Sequence, residues 1–222
     1  VWGSRSPLAL NMLDASAMLW RLHLLGEDVS LRCAEVLSGW DLADGHAGHY
    51  AFNDVHLVVT MLAAGEVSRA EAWVARCAER ALDGADARRA NHVLAREVGL
   101  PLLRGLLAFG RGEHDSAADA LYAVRGQLQR LGGSHAQRDL VDLTLLSAAA
   151  RGMRRALGGR RPFVLCRSGF AGIQRWTASW MGDNDSWWEH LAMSLPQLMN
   201  MGLSGAPLVG VDIGGFGNEA TP

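Results

Sequence analysis

Apolar residues recur at helical spacing through most of the first 150 positions, and short apolar runs replace them after residue 162. Over Leu10–Leu25, Leu13, Ala17 and Leu24 share one helical face, with Met18 and Trp20 flanking it. Asn11 and Asp14 suit the start of that helix, and Gly26 suits its end. Two later segments share one pattern. Gly65 is followed by Ala70, Val74 and Cys77, and Gly112 by Ala117, Leu121 and Val124, at identical intervals. Each predicts a helix–turn–helix with the glycine in the turn, the alanine allowing close approach, and the later residues continuing the buried face. Ser134 after Gly132-Gly133 suits a helix cap, with Arg138 and Asp139 in the first turn and Leu140, Leu143 and Leu146 on one face. Beyond the midpoint, Phe163–Cys166 and Thr177–Met181 read as short buried strands. Ser186-Trp187-Trp188-Glu189 fits a capping box that starts a helix near Trp187, with Leu191, Leu195 and Leu198 as its apolar face and a kink at Pro196. Gly202 and Gly205 end it, and Pro207–Val211 is another buried strand. Strand–helix–strand is the unit of a parallel sheet or an α/β barrel.

Composition narrows the chemistry. The 222 residues are 49% hydrophobic and 20% charged, enough for one domain or two, and the net charge of −2 argues against a general nucleic-acid binder. All 21 basic residues are arginine. Without lysine there is no Schiff-base or pyridoxal-phosphate enzyme, no Walker-A phosphate loop and no protein kinase. Charge also divides the chain: residues 1–150 hold 14 arginines and 18 acids (−4), and residues 151–222 hold 7 and 5 (+2). Between them Arg151–Pro162, with five arginines, three glycines and no acid, reads as a linker or junction. Lacking interleaved aromatics, it is not read as a nucleic-acid or anionic-lipid patch. The expected division is therefore 1–150, 151–162 and 163–222.

Cys33, Cys77 and Cys166 form no CxxC or CxxH spacing, and free thiols in a reducing, cytoplasmic compartment fit them best. No basic-then-apolar signal segment is read at the start. The longest uncharged run, Leu191–Val211, is interrupted by Pro196, Asn200, Gly202, Ser204, Gly205 and Pro207, so no membrane span is expected. His46, His49 and His56 with Asp44 and Asp54 have a spacing that metal ligands use, but the glycines among them (Gly45, Gly48) favour a loop or helix start, and no metal is expected.

The stretch Leu102–Leu121 (LLRGLLAFGRGEHDSAADAL) resembles a tetratricopeptide helix pair, with Gly105, Gly112, Ala117 and Leu121 at the motif's small and apolar positions. The Gly65 copy has Val58 where the first-helix glycine belongs, and the copies lie 47 residues apart rather than 34, a degenerate array. With Leu10–Leu22, His46–His56 and Gly132–Leu140, residues 5–150 resemble the bacterial relatives of tetratricopeptide repeat protein 38. That resemblance implies a helical-repeat scaffold with a possible protein partner and no defined chemistry.

The second piece carries chemistry. Its strands end in polar residues, Arg167, Asp183 and Asp212, where α/β barrels place their catalysis, and Trp176, Trp180, Trp187, Trp188 and Phe216 lie nearby in sequence. Aromatic faces beside carboxylates and an arginine suit a sugar, which offers C–H faces and hydroxyls together. The alternative makes the tryptophans core and the carboxylates caps, with Asp185 the neighbour of a helix cap. RPFVLCRSGFAGIQR, WMGDN, WEHL and GLSGAPLVGVDIGGF, in that order over residues 161–218, resemble glycoside hydrolase family 31, the α-glucosidase and α-xylosidase family. The resemblance implies Asp183 as general acid/base, Arg167, Trp180 and Asp212 as substrate-subsite residues, and Phe216 as an apolar wall. It implies no metal or organic cofactor. The family's nucleophile, an aspartate in a WxDMNE-like phrase, has no counterpart here, and Trp40-Asp41 is a chance echo in a helical region. The expected fold is thus mixed: an α-helical tetratricopeptide-like repeat region followed by an α/β fragment of a (β/α)8 TIM barrel. The expected function is that of a retaining α-glucosidase fragment acting on an α-linked glucoside or xyloside, inactive as this isolated chain; a protein-binding scaffold with a vestigial tail is the alternative.

Overall fold

The structure, a computed structural model, describes residues 9–42, 46–84, 90–169 and 171–219. Asp44 and Gly45 lie outside the described residues. The chain divides into two compact units, Val1–Gly152 and Met153–Pro222.

The first unit is helical: α1 (Ala9–Leu25), α2 (Ser30–Leu37), α3 (Ala51–Ala63), α4 (Val67–Leu82), α5 (Ala90–Leu94) with a π-helical turn at Ala95–Gly99, α6 (Leu100–Gly110), α7 (His114–Arg125) and α8 (His135–Ala156). The helix read over Leu10–Leu25 is α1. Leu13, Ala17, Trp20 and Leu24 are buried on it and Gly26 leaves it with φ +92°. The two glycine-marked segments are the α3/α4 and α6/α7 hairpins, and their turns have the same hydrogen bonds. Ala64, Gly65 and Glu66 donate to Thr60, Leu62 and Met61; Arg111, Gly112 and Glu113 donate to Leu107, Phe109 and Ala108. Gly65 and Gly112 have φ +82° and +77°, a region that costs other L-residues energy. Ala70 and Ala117 are fully buried where the second helix meets the first. A Cβ on Gly105 would press on Leu121 of α7 at 2.9 Å, so the first-helix glycine is a contact requirement in that hairpin. Val58, its counterpart in the other, is itself fully buried.

One apolar cluster runs through this unit, with Trp20, Met61, Leu102, Leu106, Leu121 and Leu140 among its most enclosed side chains. The Trp20 indole donates to Thr144 Oγ1 at 2.8 Å, joining α1 to α8, and Arg21 pairs with Asp139 beside it. Ser134 caps α8 reciprocally: its Oγ accepts the Gln137 N–H at 3.3 Å and its own N–H donates to Gln137 Oε1 at 2.8 Å. The buried face of α8 is not the expected one. It follows Leu140, Val141, Thr144, Ser147 and Ala148, leaving Leu143 and Leu146 half-buried, because the face is set by where Thr144 meets Trp20.

The Arg/Gly-rich segment 151–162 is helical over its first part, since α8 continues to Ala156 before turning at Gly158 and Gly159. Nothing in Arg151–Ala156 breaks a helix except Gly152, and a Cβ there would collide with the Asp115 carboxylate.

The second unit holds a three-stranded parallel sheet in the order β1 (Leu165–Cys166), β2 (Ala178–Trp180), β3 (Val209–Gly210), with α9 (Trp188–Leu203) crossing from β2 to β3. Leu165 pairs with Ala178, and Ser179 with Val209. The strand–helix–strand order is as read, but three details differ. The strands are shorter and not buried on both faces; Leu165 is 55% exposed. Such double burial needs helices packed on each side, and among the described residues α9 is the one α-helical crossover, β1 and β2 being joined through a single 3-10 turn at Ile173–Arg175. The apolar face of α9 is likewise largely open, with Leu191 and Leu195 exposed, Leu198 half-buried and Ser194 its buried side chain. Finally, Ser186 forms no capping box. The Gly217 carbonyl takes both its N–H (2.9 Å) and its Oγ–H (3.0 Å), and the helix begins after an extended Trp187. α9 continues through Pro196, and its C-terminus is closed by Gly205 and Ala206 N–H donating to Gly202 and Met201. Among the described residues no helix is long and apolar enough to cross a membrane.

Candidate active site

Parallel strands bring their carboxyl ends to one edge, so the residue leaving each strand faces the residues leaving its neighbours. Arg167 follows β1, Met181–Asn184 follow β2 and Val211–Phe216 follow β3. The structure joins these three exits. The Arg167 guanidinium pairs with the Asp183 carboxylate and lies 5.6 Å from the centre of the Trp180 ring. The Trp180 indole N–H donates to Asp212 Oδ1 at 3.1 Å, and the Asp183 N–H donates to Asp212 Oδ2 at 3.4 Å. Phe216 meets Trp180 edge to face with centroids 6.1 Å apart. All five residues singled out in the sequence therefore belong to one constellation.

Local backbone explains how they converge. Asp183 has φ +67°, the left-handed region, which reverses the chain as it leaves β2. Gly182 before it passes directly beneath Trp180, where a Cβ would fall inside the indole ring. Asp212, half-buried, is the common acceptor, each carboxylate oxygen taking one N–H from the β2 exit. Asp183 and Arg167 are exposed, so an incoming hydroxyl can reach the carboxylate and the guanidinium together.

Three aromatic residues read as neighbours of this site have other partners. Trp176 lies against Arg175, and Trp187 is 5.2 Å from His190. Trp188 is 66% exposed on the first turn of α9, so it is not core. Asp185 is a tie between loops: its N–H donates to His190 Nδ1 at 2.7 Å and its Oδ1 accepts Asn218 Nδ2 at 2.8 Å. Sequence reasoning missed Asn184, which bonds across to Asp212, and the signal was only its place in WMGDN between the acid and the next turn.

The histidine-rich stretch near residue 50 separates into unrelated pairs. His46 faces Asp41 at 3.3 Å and His49 faces Arg80 at 3.4 Å. His56 is buried with Nδ1 on the Phe52 carbonyl at 2.8 Å. Asp54 is a buried acceptor for the Trp73 indole (2.8 Å) and the Gly48 N–H (3.3 Å). Burial lifts its pKa above the ordinary carboxyl range despite those donors, and burial lowers that of His56. Among the described residues no group of three His, Cys, Asp or Glu side chains is arranged to hold a metal ion. The cysteines are free, and burial pushes the Cys33 thiol up to about 11 and raises Cys77 as well, Asp54 adding to the effect.

A carboxylate, an arginine and an indole thus meet at the carboxyl edge of a parallel sheet, where α/β folds hold their active sites. Residues 82–222 match the glycosyl hydrolases family 31 TIM-barrel domain, and the chain belongs to that family. The match begins at the last residue of α4, further toward the N-terminus than the phrases at 161–218 reach, and between residues 82 and 164 the described residues form helices and turns without a strand. Alpha-glucosidase 2 of Bacillus thermoamyloliquefaciens is 58% identical over 72 residues, 32% of this chain and 9% of that protein. Human neutral alpha-glucosidase AB is 47% identical over 76 residues, 34% of this chain and 8% of its own length. A probable glucan 1,3-alpha-glucosidase of Arabidopsis thaliana is 49% identical over 65 residues, 29% and 7%. The chain thus matches less than a tenth of the length of these relatives. No solved structure matches the chain at a significant level.

Proposed function

We propose that this chain carries the acid/base half of a retaining α-glucosidase site, with Asp183 as general acid/base and Arg167, Trp180, Asp212 and Phe216 binding an α-linked glucoside or xyloside. The observation that supports this most is the Arg167–Asp183 pair held against Trp180 and Asp212 at one sheet edge. In the proposed reaction Asp183 protonates the leaving glycosidic oxygen while a second carboxylate, about 5–5.5 Å away across the bond, attacks the anomeric carbon. Asp183 then takes a proton from the water that releases the sugar. Arg167 orients the carboxylate and donates to sugar hydroxyls. Trp180 and Phe216 offer apolar faces to the ring, and Asp212 accepts hydroxyl protons with lone pairs left free by its two N–H donors. These steps move protons and one glycosyl group, so no cofactor enters. The attacking carboxylate has no WxDMNE-like phrase to supply it, and the reading is of a chain without turnover on its own. Residues 163–222 form the catalytic piece, 151–162 a junction and 1–150 a helical, tetratricopeptide-like scaffold for a protein partner, with the free thiols favouring the cytoplasm.

The test places residues 161–218 in Bacillus thermoamyloliquefaciens alpha-glucosidase 2 in exchange for its matching stretch. Maltose is the substrate, because its leaving alcohol needs a proton. The chimaera is expected to hydrolyse maltose and to lose about 10²–10⁴-fold on Asp183→Asn. A folded chimaera whose activity is indifferent to Asp183→Asn overturns the assignment.

A further inference from the structure

Asn184, immediately after the proposed acid/base, has both ends of its side-chain amide engaged by one residue across the site. Its Nδ2 donates to the Asp212 carbonyl at 2.9 Å, and its Oδ1 accepts the Asp212 N–H at 3.3 Å. Its backbone carbonyl accepts the Phe216 N–H at 2.7 Å and the Gly217 N–H at 3.4 Å. The side chain thus imitates the backbone of a neighbouring strand and extends the β2–β3 pairing past the end of the sheet. Asp183 lies between that pairing and Trp180, the last residue of β2, in a left-handed conformation that an aspartate tolerates better than most side chains but less freely than glycine. The downstream side of the loop has its own anchors: Asp185 N–H on His190, Asn218 on Asp185, and Ser186 on the Gly217 carbonyl. Beyond the Asp183 N–H's own 3.4 Å bond to Asp212 Oδ2, Asn184 is therefore the nearest tie on the downstream side of the acid, and its removal leaves the 185–190 turn held.

We propose that Asn184 is a positioning residue for Asp183: its two-point bond to the Asp212 backbone holds Asp183 left-handed, with its carboxylate against Arg167. The inference rests on the reading of Asp183 as the acid/base. A group that first gives and then takes a proton at the same oxygen needs its carboxylate fixed to within about half an ångström. One amide with a donor and an acceptor facing C=O and N–H meets that need in a way that neither an aspartate nor an alanine can.

Nuclear magnetic resonance of the full 23.9 kDa chain tests it without using activity. The readouts are the Asp183 backbone shifts, which report the sign of φ, the slow exchange of Arg167 guanidinium protons, and amide protection at Ala178 and Ser179 as a check on the sheet. Asn184→Ala is expected to lose the left-handed Asp183 shifts and the slow Arg167 protons while the sheet amides stay protected. Retention of both signals overturns the proposal. If Asn184→Ala opens the sheet, adding Asp183→Gly decides, since glycine adopts the left-handed backbone freely. Restored sheet protection supports the proposal, and no restoration overturns it. In the maltose-hydrolysing chimaera, Asn184→Ala is expected to lower kcat per titrated active site about tenfold or more with KM little changed, whereas loss of fold alone would reduce the number of active sites and leave kcat per site unchanged. A chimaera that never hydrolyses maltose removes the glycosidase reading, and the resonance readouts still decide the clamp.

Discussion

From Leu13 to Ala148 one apolar cluster links side chains from α1 through α8, whereas beyond Gly152 the buried apolar side chains among the described residues are Ile173 and Ala178. The two units are held by different physics. In the helical unit, side-chain burial does most of the stabilising, at roughly 1.5–3 kcal/mol for each fully buried Leu or Val. In the sheet unit, backbone bonds such as Ala178 N–H to Val164 and Met181 N–H to Gly210, both 2.8 Å, join with polar ties between loops. Such ties contribute about 0.5–1.5 kcal/mol each, but they are directional, and direction is what places an arginine against a carboxylate. The region with the firm core carries no assembled chemistry among its described residues, and the region with the assembled chemistry has little core.

The largest expected effect comes from removing Trp20, 1% exposed and bonded to Thr144. Trp20→Ala should cost about 3–5 kcal/mol in chemical denaturation followed by far-ultraviolet circular dichroism. Leu203→Ala, at a position 86% exposed, should stay within about 0.5 kcal/mol. Equal losses would mean that the open face of α9 is covered in solution. Next, Arg167→Lys in the chimaera should lower kcat/KM for maltose about tenfold, since an ammonium lacks the planar fork that pairs with a carboxylate. As an exposed pair, its loss should change stability by less than about 1 kcal/mol, and a larger melting shift would reassign Arg167 to structure. The caps sharpen the contrast further. Ser134→Ala should cost about 1 kcal/mol and speed amide exchange at Gln137, while Ser186→Ala should leave the first turn of α9 intact because Ser186 bonds to Gly217 instead.

The subtlest effect is a pH slope in the helical unit. The folded pKa of Asp54 is raised, so its contribution to stability is fully present below the unfolded carboxyl value, about 3.9, and is lost as pH rises through the folded value. His56 acts oppositely: with its folded pKa lowered, its contribution is present above about 6.5 and is lost as pH falls. Asp54→Asn should therefore remove the fall in stability that Asp54 causes as pH rises, read as the difference between urea midpoints of the two chains from pH 4 upward. Parallel curves would mean that Asp54 is charged at no cost in the folded unit.

The helices and the chemistry were legible for separable reasons. Gly65 and Gly112 with their buried alanines announce two hairpins because turn and contact requirements act within a few residues of each other. Arg167, Asp183 and Asp212 could be singled out because strand exits in a parallel sheet share an edge, a rule that needs only strand order, whereas Trp180 and Phe216 were singled out from the other aromatics by the resemblance of their phrases to glycoside hydrolase family 31. Ser186 misled because its capping pattern is local while its partner, the Gly217 carbonyl, is far along the chain. Leu143 and Leu146 misled similarly: helical periodicity identifies candidate faces, but the Trp20–Thr144 contact turns α8 by its own amount.

By itself, then, the amino-acid order determined what short-range sterics and composition control: helix and turn positions, a chemistry without amines, and the set of polar groups at the strand ends. Only the tertiary structure decided which of those groups meet. Asp54 became a buried acceptor for Trp73 rather than a histidine's companion, Asp212 became the shared acceptor of Trp180 and Asp183, and Asn184 became the bridge beside the acid. Each depends on a partner distant in sequence or on another loop, and a hydrogen bond's direction is settled only when both backbones are in place.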